Sequence, residues 1–329
     1  MKQFEKPILF IVFNRLDTTK RVFEQIRKVK PLKLYITSDG PRNESEKAKV
    51  LQVREFIMKN IDWDCEVKTK FRDKNLGAGF GIKDAIDWFF AHEEEGIILE
   101  DDCLPSISFF QFCSELLDIY KDNKNVGVIQ GFNPFPKKDY EYSYFFSKYD
   151  LKWGWATWKD RWQYQDMYMN DWPQIKKTDF LNRISKDKLV KLYWSAIFDQ
   201  IYMNPHFTWD TQFTYQILKR GLLTIVPKKN IVLNIGYGEE AYSCKWGIPD
   251  HIKSLKLEEL DFPLIHPKEI KINEAYDRLV ENIHFEMNLM TVLRLKFRNF
   301  LDSNKFLRTT ILPLMVSIYR SYKKLKMKF

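Results

Sequence analysis

The sequence predicts an α/β fold built on a mostly parallel sheet, and three observations lead there. Short apolar runs recur between Pro7 and Gln130. The stretches between them carry apolar residues at helical spacing. The resulting β-α-β-α-β alternation is the pattern of a parallel sheet with helices on both faces.

The elements follow in order. Residues 7–13 are continuously apolar and stop at Asn14-Arg15; Asp17 then caps a helix expected over Thr18–Val29. Leu34-Tyr35-Ile36 is a second strand, closed by the turn signal Ser38-Asp39-Gly40-Pro41. Glu44–Ile61 reads as a helix with Val50, Val53, Phe56 and Ile57 on one face. Glu66–Phe71 is a third strand, Asn75–Gly81 a glycine-bearing turn, and Ile82–His92 a helix. The fourth strand, Gly96–Leu99, runs straight into Glu100-Asp101-Asp102. A helix follows Pro105, then a fifth strand, Val126–Gln130. Past Gly131 the texture changes: residues 140–172 hold eight Tyr and Phe and five Trp in no regular pattern. Helices are expected over Phe180–Met203 and Thr211–Arg220, followed by a hairpin-like pair, Leu222–Val226 and Asn230–Ile235. From Gly236 to about 285 the chain reads as loops, which gives three stretches, 1–131, 132–285 and 286–329.

Charge separates the last stretch from the rest. The chain of 329 residues carries +9, and between Thr291 and Phe329 ten Lys or Arg face one acid, Asp302. The whole net charge therefore sits in that tail, and residues 1–290 are neutral overall. A nucleic-acid binder would spread its charge over the folded body, so no nucleic-acid partner is expected. A hydrophobic content of 45% excludes bulk disorder. Cys65, Cys103, Cys113 and Cys244 form no C-x-x-C pair and read as reduced, cytosolic thiols. The N-terminus reads as a first strand rather than a signal peptide. Ile311–Tyr319, an apolar run containing Pro313, is far short of the ~20 residues that span a bilayer. The five histidines show no metal-ligand spacing.

The sharpest local feature is Ile97-Ile98-Leu99-Glu100-Asp101-Asp102. A buried strand delivers three carboxylates at its C-terminal end, where open α/β sheets bind ligands. Neighbouring carboxylates suit Mg²⁺ or Mn²⁺, which in turn hold phosphate oxygens. The plainer reading is an acidic turn kept for solubility. Gly77-Ala78-Gly79-Phe80-Gly81 offers another: a G-x-G-x-G loop with Glu100 about twenty residues on, as in a dehydrogenase or a methyltransferase binding S-adenosylmethionine. The polar residues Arg72–Asn75 before it, and its place after two strand–helix units, count against that.

Taken together, Phe13-Asn14-Arg15, Ser38-Asp39-Gly40, Asn75–Gly81, Ile98–Asp102 and Lys152-Trp153-Gly154-Trp155-Ala156-Thr157-Trp158 resemble bacterial glycosyltransferases of the GT-A fold in surface-polysaccharide biosynthesis. More remotely they resemble the N-acetylglucosaminyltransferase I group. The resemblance covers residues 5–240. It implies a Rossmann-like nucleotide-sugar-binding half over 1–131, an acceptor half over 132–285, and a helical tail. It further implies that Arg15, Asp39, Lys83 and Asp101 meet a UDP-sugar, and that Asp102, with Asp101 beside it, holds Mn²⁺ or Mg²⁺. Phe207-Thr208-Trp209-Asp210 matches the segment that supplies the catalytic base, which falls on Asp210; Thr211 stands where that group has a second acid. Asn234–Glu240 matches a loop near the active site, although Ala241–Cys244 offer no His.

These roles make one reaction. A cation and Arg15 would offset charge on the diphosphate leaving group, and Asp210 would take the acceptor proton, with inversion at the anomeric carbon. Asp210 would otherwise be a helix cap, Arg15 a solvated cation and Asp39 a turn residue. Trp153, Trp155, Trp158 and Trp162 read as packing. In the tail, Leu289, Val292-Leu293, Phe297 and Phe300-Leu301 recur on one side, with Lys296 intruding. Basic and apolar residues without a span fit a helix on an anionic membrane, hence a cytoplasmic, peripherally bound enzyme with a glycan or lipid-linked acceptor. A solvated tail packed on the domain is the alternative, and a non-enzymatic membrane or nucleic-acid binder the third class.

Overall fold

The computed structural model describes residues 3–137, 139–237 and 248–304, together with Ser317. The chain opens β1 (Ile8–Val12), α1 (Leu16–Val29), β2 (Lys33–Ser38), α2 (Glu44–Asn60), β3 (Glu66–Phe71), α3 (Gly77–Phe90) and β4 (Glu95–Glu100). It continues β5 (Cys103–Pro105), α4 (Ile107–Tyr120), β6 (Val126–Gln130), β7 (Tyr144–Ser147) and β8 (Trp155–Trp158). Short helices α5 (Lys159–Trp162), α6 (Trp172–Ile175) and α7 (Phe180–Ile184) lead to α8 (Lys188–Met203) and α9 (Asp210–Arg220). Then come β9 (Leu223–Pro227), β10 (Val232–Asn234), α10 (Asp250–Lys253), α11 (Glu274–Leu279) with a π-helical turn over Val280–His284, and α12 (Leu289–Ser303).

Eight strands make one mixed sheet in the order β3-β2-β1-β4-β8-β6-β9-β7. The expected α/β class and the parallel first four strands are found. Strands β8 and β7 run antiparallel to their neighbours. The apolar runs become strands because both sheet faces are covered: Ile8, Leu9, Phe10, Leu34, Ile36, Ile97 and Leu99 are all fully buried. Phe23 and Ile26 of α1 and Val53 and Ile57 of α2 pack on one face. Ile86 and Phe89 of α3 pack on the other with Trp155, Trp162, Trp209 and Phe213. The tryptophan-rich segment is thus core, as expected, with Trp155 stacked on Trp209 at 5.7 Å.

Four expectations are corrected. The pair Leu222–Val226 and Asn230–Ile235 forms no hairpin: β9 sits between β6 and β7, and β10 pairs with β5. Buried Asn230 accepts from the Asn133 amide (2.9 Å), holding the connection away from a fold-back. The helix expected over Phe180–Met203 is two helices, because Asp187 caps α8 by accepting from the Leu189 amide (2.7 Å). Asp17 lies in the first turn of α1, whose cap position is Arg15. Asn75–Gly81 is not all turn, since α3 already begins at Gly77.

Candidate functional site

Parallel pairing brings the C-terminal ends of β1, β2 and β4 to one edge, with Val12 beside Ser38 and Ile11 beside Glu100. The residues just past those ends are Arg15, Asp39 and Asp101-Asp102. A cleft of about 440 Å³ opens there. Arg15, Asp39 and Asp101 line it, joined by Glu100 and by the cations Arg42, Lys49 and Arg72. A cavity of about 570 Å³ lies elsewhere, among Lys148, Arg183, Asp277 and Glu281. None of the sequence-derived candidates lines that larger space.

Arg15 is the hub. Its guanidinium donates to Asp101 Oδ1 and to Asp102 Oδ2 (2.9 Å). The Phe13 amide donates to Asp101 Oδ2 (3.2 Å). Burial works against the Arg15 charge, but the two carboxylates more than offset it and hold the guanidinium above its ordinary range. Burial pushes the Asp101 carboxyl up to about 6; Arg15 opposes that and Asp102 adds to it. Glu100 is pushed well above the carboxylate range by burial and by the charges of Asp102, Asp101 and Asp210. With Glu100 pushed toward its neutral form, Asp101 and Asp102 face one guanidinium, Arg15, and the strand end keeps a negative excess.

Asp39 has a structural task as well. It accepts from the amides of Gly40, Leu76 and Gly77, each at 3.0 Å, and so ties the start of α3 to the end of β2. The positive φ of Gly77 (78°) is what turns the chain into that position. Lys83 points along its own helix to Asp87 and does not line the cleft. The cleft-facing positions of α3 are Gly77, Ala78, Gly81 and Ile82.

Asp210 is the first residue of α9. Its Oδ1 accepts from the Thr211 amide (2.7 Å) and from the Thr208 hydroxyl. Its charge is among those that raise Glu100, although Asp210 does not itself line the cleft. The loop before it is drawn against α3: Phe80 meets His206 with ring centres 4.7 Å apart, and a Cβ on Gly79 would sit 2.7 Å from the His206 carbonyl. Beneath α9 a buried triad holds the helix. Lys152 pairs with Asp150, Thr214 Oγ1 donates to Asp150 Oδ1 (2.7 Å), and Lys152 Nζ donates to Thr214 Oγ1 (3.0 Å).

Asn234–Tyr237 runs beside the acids, with the Ile235 amide donating to the Asp102 carbonyl (2.8 Å). Gly236 packs so near Asp102 and Arg15 that any side chain there would collide with both. Glu239, Glu240 and Ala241–Cys244 lie outside the described residues. Glu100 reads from the sequence as one of three carboxylates at the strand end. Sequence reasoning missed the cations Arg42, Lys49 and Arg72 and the Asp150–Lys152–Thr214 triad, which no spacing in the sequence connects.

Fold and site together define an α/β protein with a polar cleft across the ends of parallel strands, where this class binds ligands. No family model matches the chain, and no curated protein matches it. Among solved structures it is similar to HddC from Yersinia pseudotuberculosis, at 9% identity and TM-score 0.28, over 47% of this chain and 77% of that one. It is similar to the same degree, over 47% of this chain and 72% of the other, to 4-diphosphocytidyl-2C-methyl-D-erythritol synthase from Anaerococcus prevotii. Likenesses at that TM-score carry no argument about what this chain does.

Proposed function

We propose that this chain is a glycosyltransferase that moves a sugar from a nucleotide donor, a UDP-sugar, to a glycan or lipid-linked acceptor in surface-polysaccharide synthesis. The observation that supports it most is the meeting of Arg15, Asp39, Glu100 and Asp101 in one cleft, with Asp102 on the same guanidinium. The order of motifs in the sequence supports the same reading.

In this reading Arg42, Lys49 and Arg72 give the cleft the positive charge a diphosphate needs. Arg15 holds Asp101 and Asp102 in place. Asp210 accepts the acceptor hydroxyl proton, a role general bases perform with rate effects of about 10²–10⁴-fold. A single displacement on that line inverts the anomeric centre.

This reading calls for a divalent cation held by few protein ligands. No group of three or more His, Cys, Asp or Glu among the described residues is arranged to hold a metal. The negative charge of Asp101 and Asp102 nevertheless suits Mn²⁺ or Mg²⁺ bound by one or two carboxylates and completed by donor phosphate oxygens. Asp102, with Asp101 beside it, would hold the ion. When bound it would supply Lewis-acid stabilisation of the leaving diphosphate.

Thermal shift tests the reading. UDP with Mn²⁺ raises the melting temperature more than UDP alone, and Asp102→Ala removes the difference while keeping the fold. A melt that ignores UDP across a donor panel, or an Asp102→Ala protein as active as the parent, refutes it.

A further inference from the structure

The helix α12 has two apolar faces. One packs on the body: Val292 is buried, Leu295 joins the cluster around Trp194 and Phe198, and Asn299 donates to the Ala196 carbonyl of α8 (2.7 Å). Among the described residues, the side chains of the other face are exposed. Met290, Leu293, Phe297 and Phe300 follow at three- and four-residue steps and are all exposed, Phe300 at 61%. At 3.6 residues per turn they fill an arc of roughly 100° on the side away from α8. Arg294 borders this stripe on one side and Lys296 on the other, both exposed. Lys296, an intrusion in the linear sequence, thus separates two apolar faces. Single exposed apolar residues are ordinary; an aligned row of four flanked by cations is not.

We propose that this stripe docks α12 on an anionic bilayer surface, its apolar side chains at the acyl boundary and its flanking cations among the head groups. Charge selects this occupant: α12 opens the stretch that holds ten Lys or Arg against Asp302, beside a body that is neutral overall. A second copy of the chain would bring like charge to the same face. A nucleic acid would leave the four apolar side chains in water. No described helix is long and apolar enough to cross a bilayer.

The docking face is tied to the cleft. Arg298 lies over the Phe207 ring (5.6 Å), three residues ahead of Asp210, in the loop that packs on Gly79. A docked α12 therefore holds the α9 side of the cleft beside the membrane. Resting on the glycosyl-transfer reading, this makes the acceptor an amphiphile carried in the bilayer, with its polar head reaching Asp210 from that side.

The test is flotation of the full chain with phosphatidylglycerol–phosphatidylcholine vesicles against pure phosphatidylcholine. The parent floats with the anionic vesicles and not with the neutral ones. The triple variant Leu293→Glu, Phe297→Glu, Phe300→Glu loses at least about tenfold in partitioning. It keeps the parent melting temperature and its hydrolysis of soluble donor. Leu51→Glu, at an exposed apolar position on α2, floats like the parent. The proposal is overturned if the parent does not float, or if the triple variant floats equally well. It is also overturned if light scattering finds a parent dimer that the triple variant abolishes. Flotation that depends on the stripe, in a protein that turns over no donor, supports the docking face and refutes the transfer reading instead.

Discussion

Replacing Lys152 by Met removes one member of the buried triad beneath α9. Asp150 and Lys152 are both almost wholly buried, their side chains 0% and 4% exposed. Burial already holds the Asp150 carboxyl above its ordinary range, and Lys152 is the chief force opposing that. Without Lys152 a carboxylate is left in the interior with Thr214 as a neutral partner. Breaking a buried pair in this way costs about 3–5 kcal/mol. With an unfolding entropy near 2.1 cal/mol/K per residue, that is a fall in Tm of about 4–7 °C for a chain of this length. The deficit depends on pH in a fixed direction. A carboxyl whose folded pKa lies above its unfolded value favours the fold below the unfolded pKa, and that advantage is lost as pH rises through the folded pKa. In the variant the Asp150 pKa moves higher still, so the deficit is larger at pH 8 than at pH 5. Differential scanning calorimetry of parent and variant at both pH values reads it. A fall under about 1 °C, or a deficit that does not change with pH, refutes the claim that Lys152 neutralises a buried charge.

Further outcomes follow from the same geometry. Asp210→Asn keeps the fold, because both donors converge on Oδ1, which an amide retains, yet turnover falls about 10²-fold or more with donor binding unchanged; steady-state kinetics beside UDP titration decide it. A time course by NMR shows inversion at the anomeric carbon, and retention refutes Asp210 as base. Burial, with help from His251 whose Nε2 lies 3.1 Å from His284 Nδ1, pushes His284 down to about 4. The unfolded chain therefore takes up that proton first, and stability is lost as pH falls from about 6.5 toward 4. Between pH 6.5 and 5 the loss is about 2 kcal/mol, and His284→Phe flattens that part of the Tm–pH curve.

How much was legible depended on where each element finds its partners. Strands β1, β2 and β4 are buried on both faces and announce themselves as apolar runs, and the acids and cations just past their ends came with them. Strand β8 did not: Trp155–Trp158 is a strand because β4 and β6 flank it, and nothing local says so. The hairpin expectation failed for the same reason, since β9 and β10 lie next to each other in sequence yet take partners from far earlier in the chain. Of Lys83 and its neighbours on the helix, it is Gly81 and Ile82 that face the cleft, while Lys83 turns to Asp87. Arg42, Lys49 and Arg72 reach the cleft from α2's approach, α2 itself and the end of β3, so no spacing in the sequence connects them.

The place of β8 has a consequence for assembly. Strands β4 and β6 both precede it in the chain, yet β8 lies between them in the sheet. During synthesis β4 keeps an open edge, and β6 has no seat, until residue 158 has emerged. That edge is apolar, the kind of surface on which chains pair with one another. Cutting after residue 131 would leave it permanently bare. The tryptophans of β8 thus act as a late seal on a half-built sheet, and aggregation of the growing chain is the hazard they end.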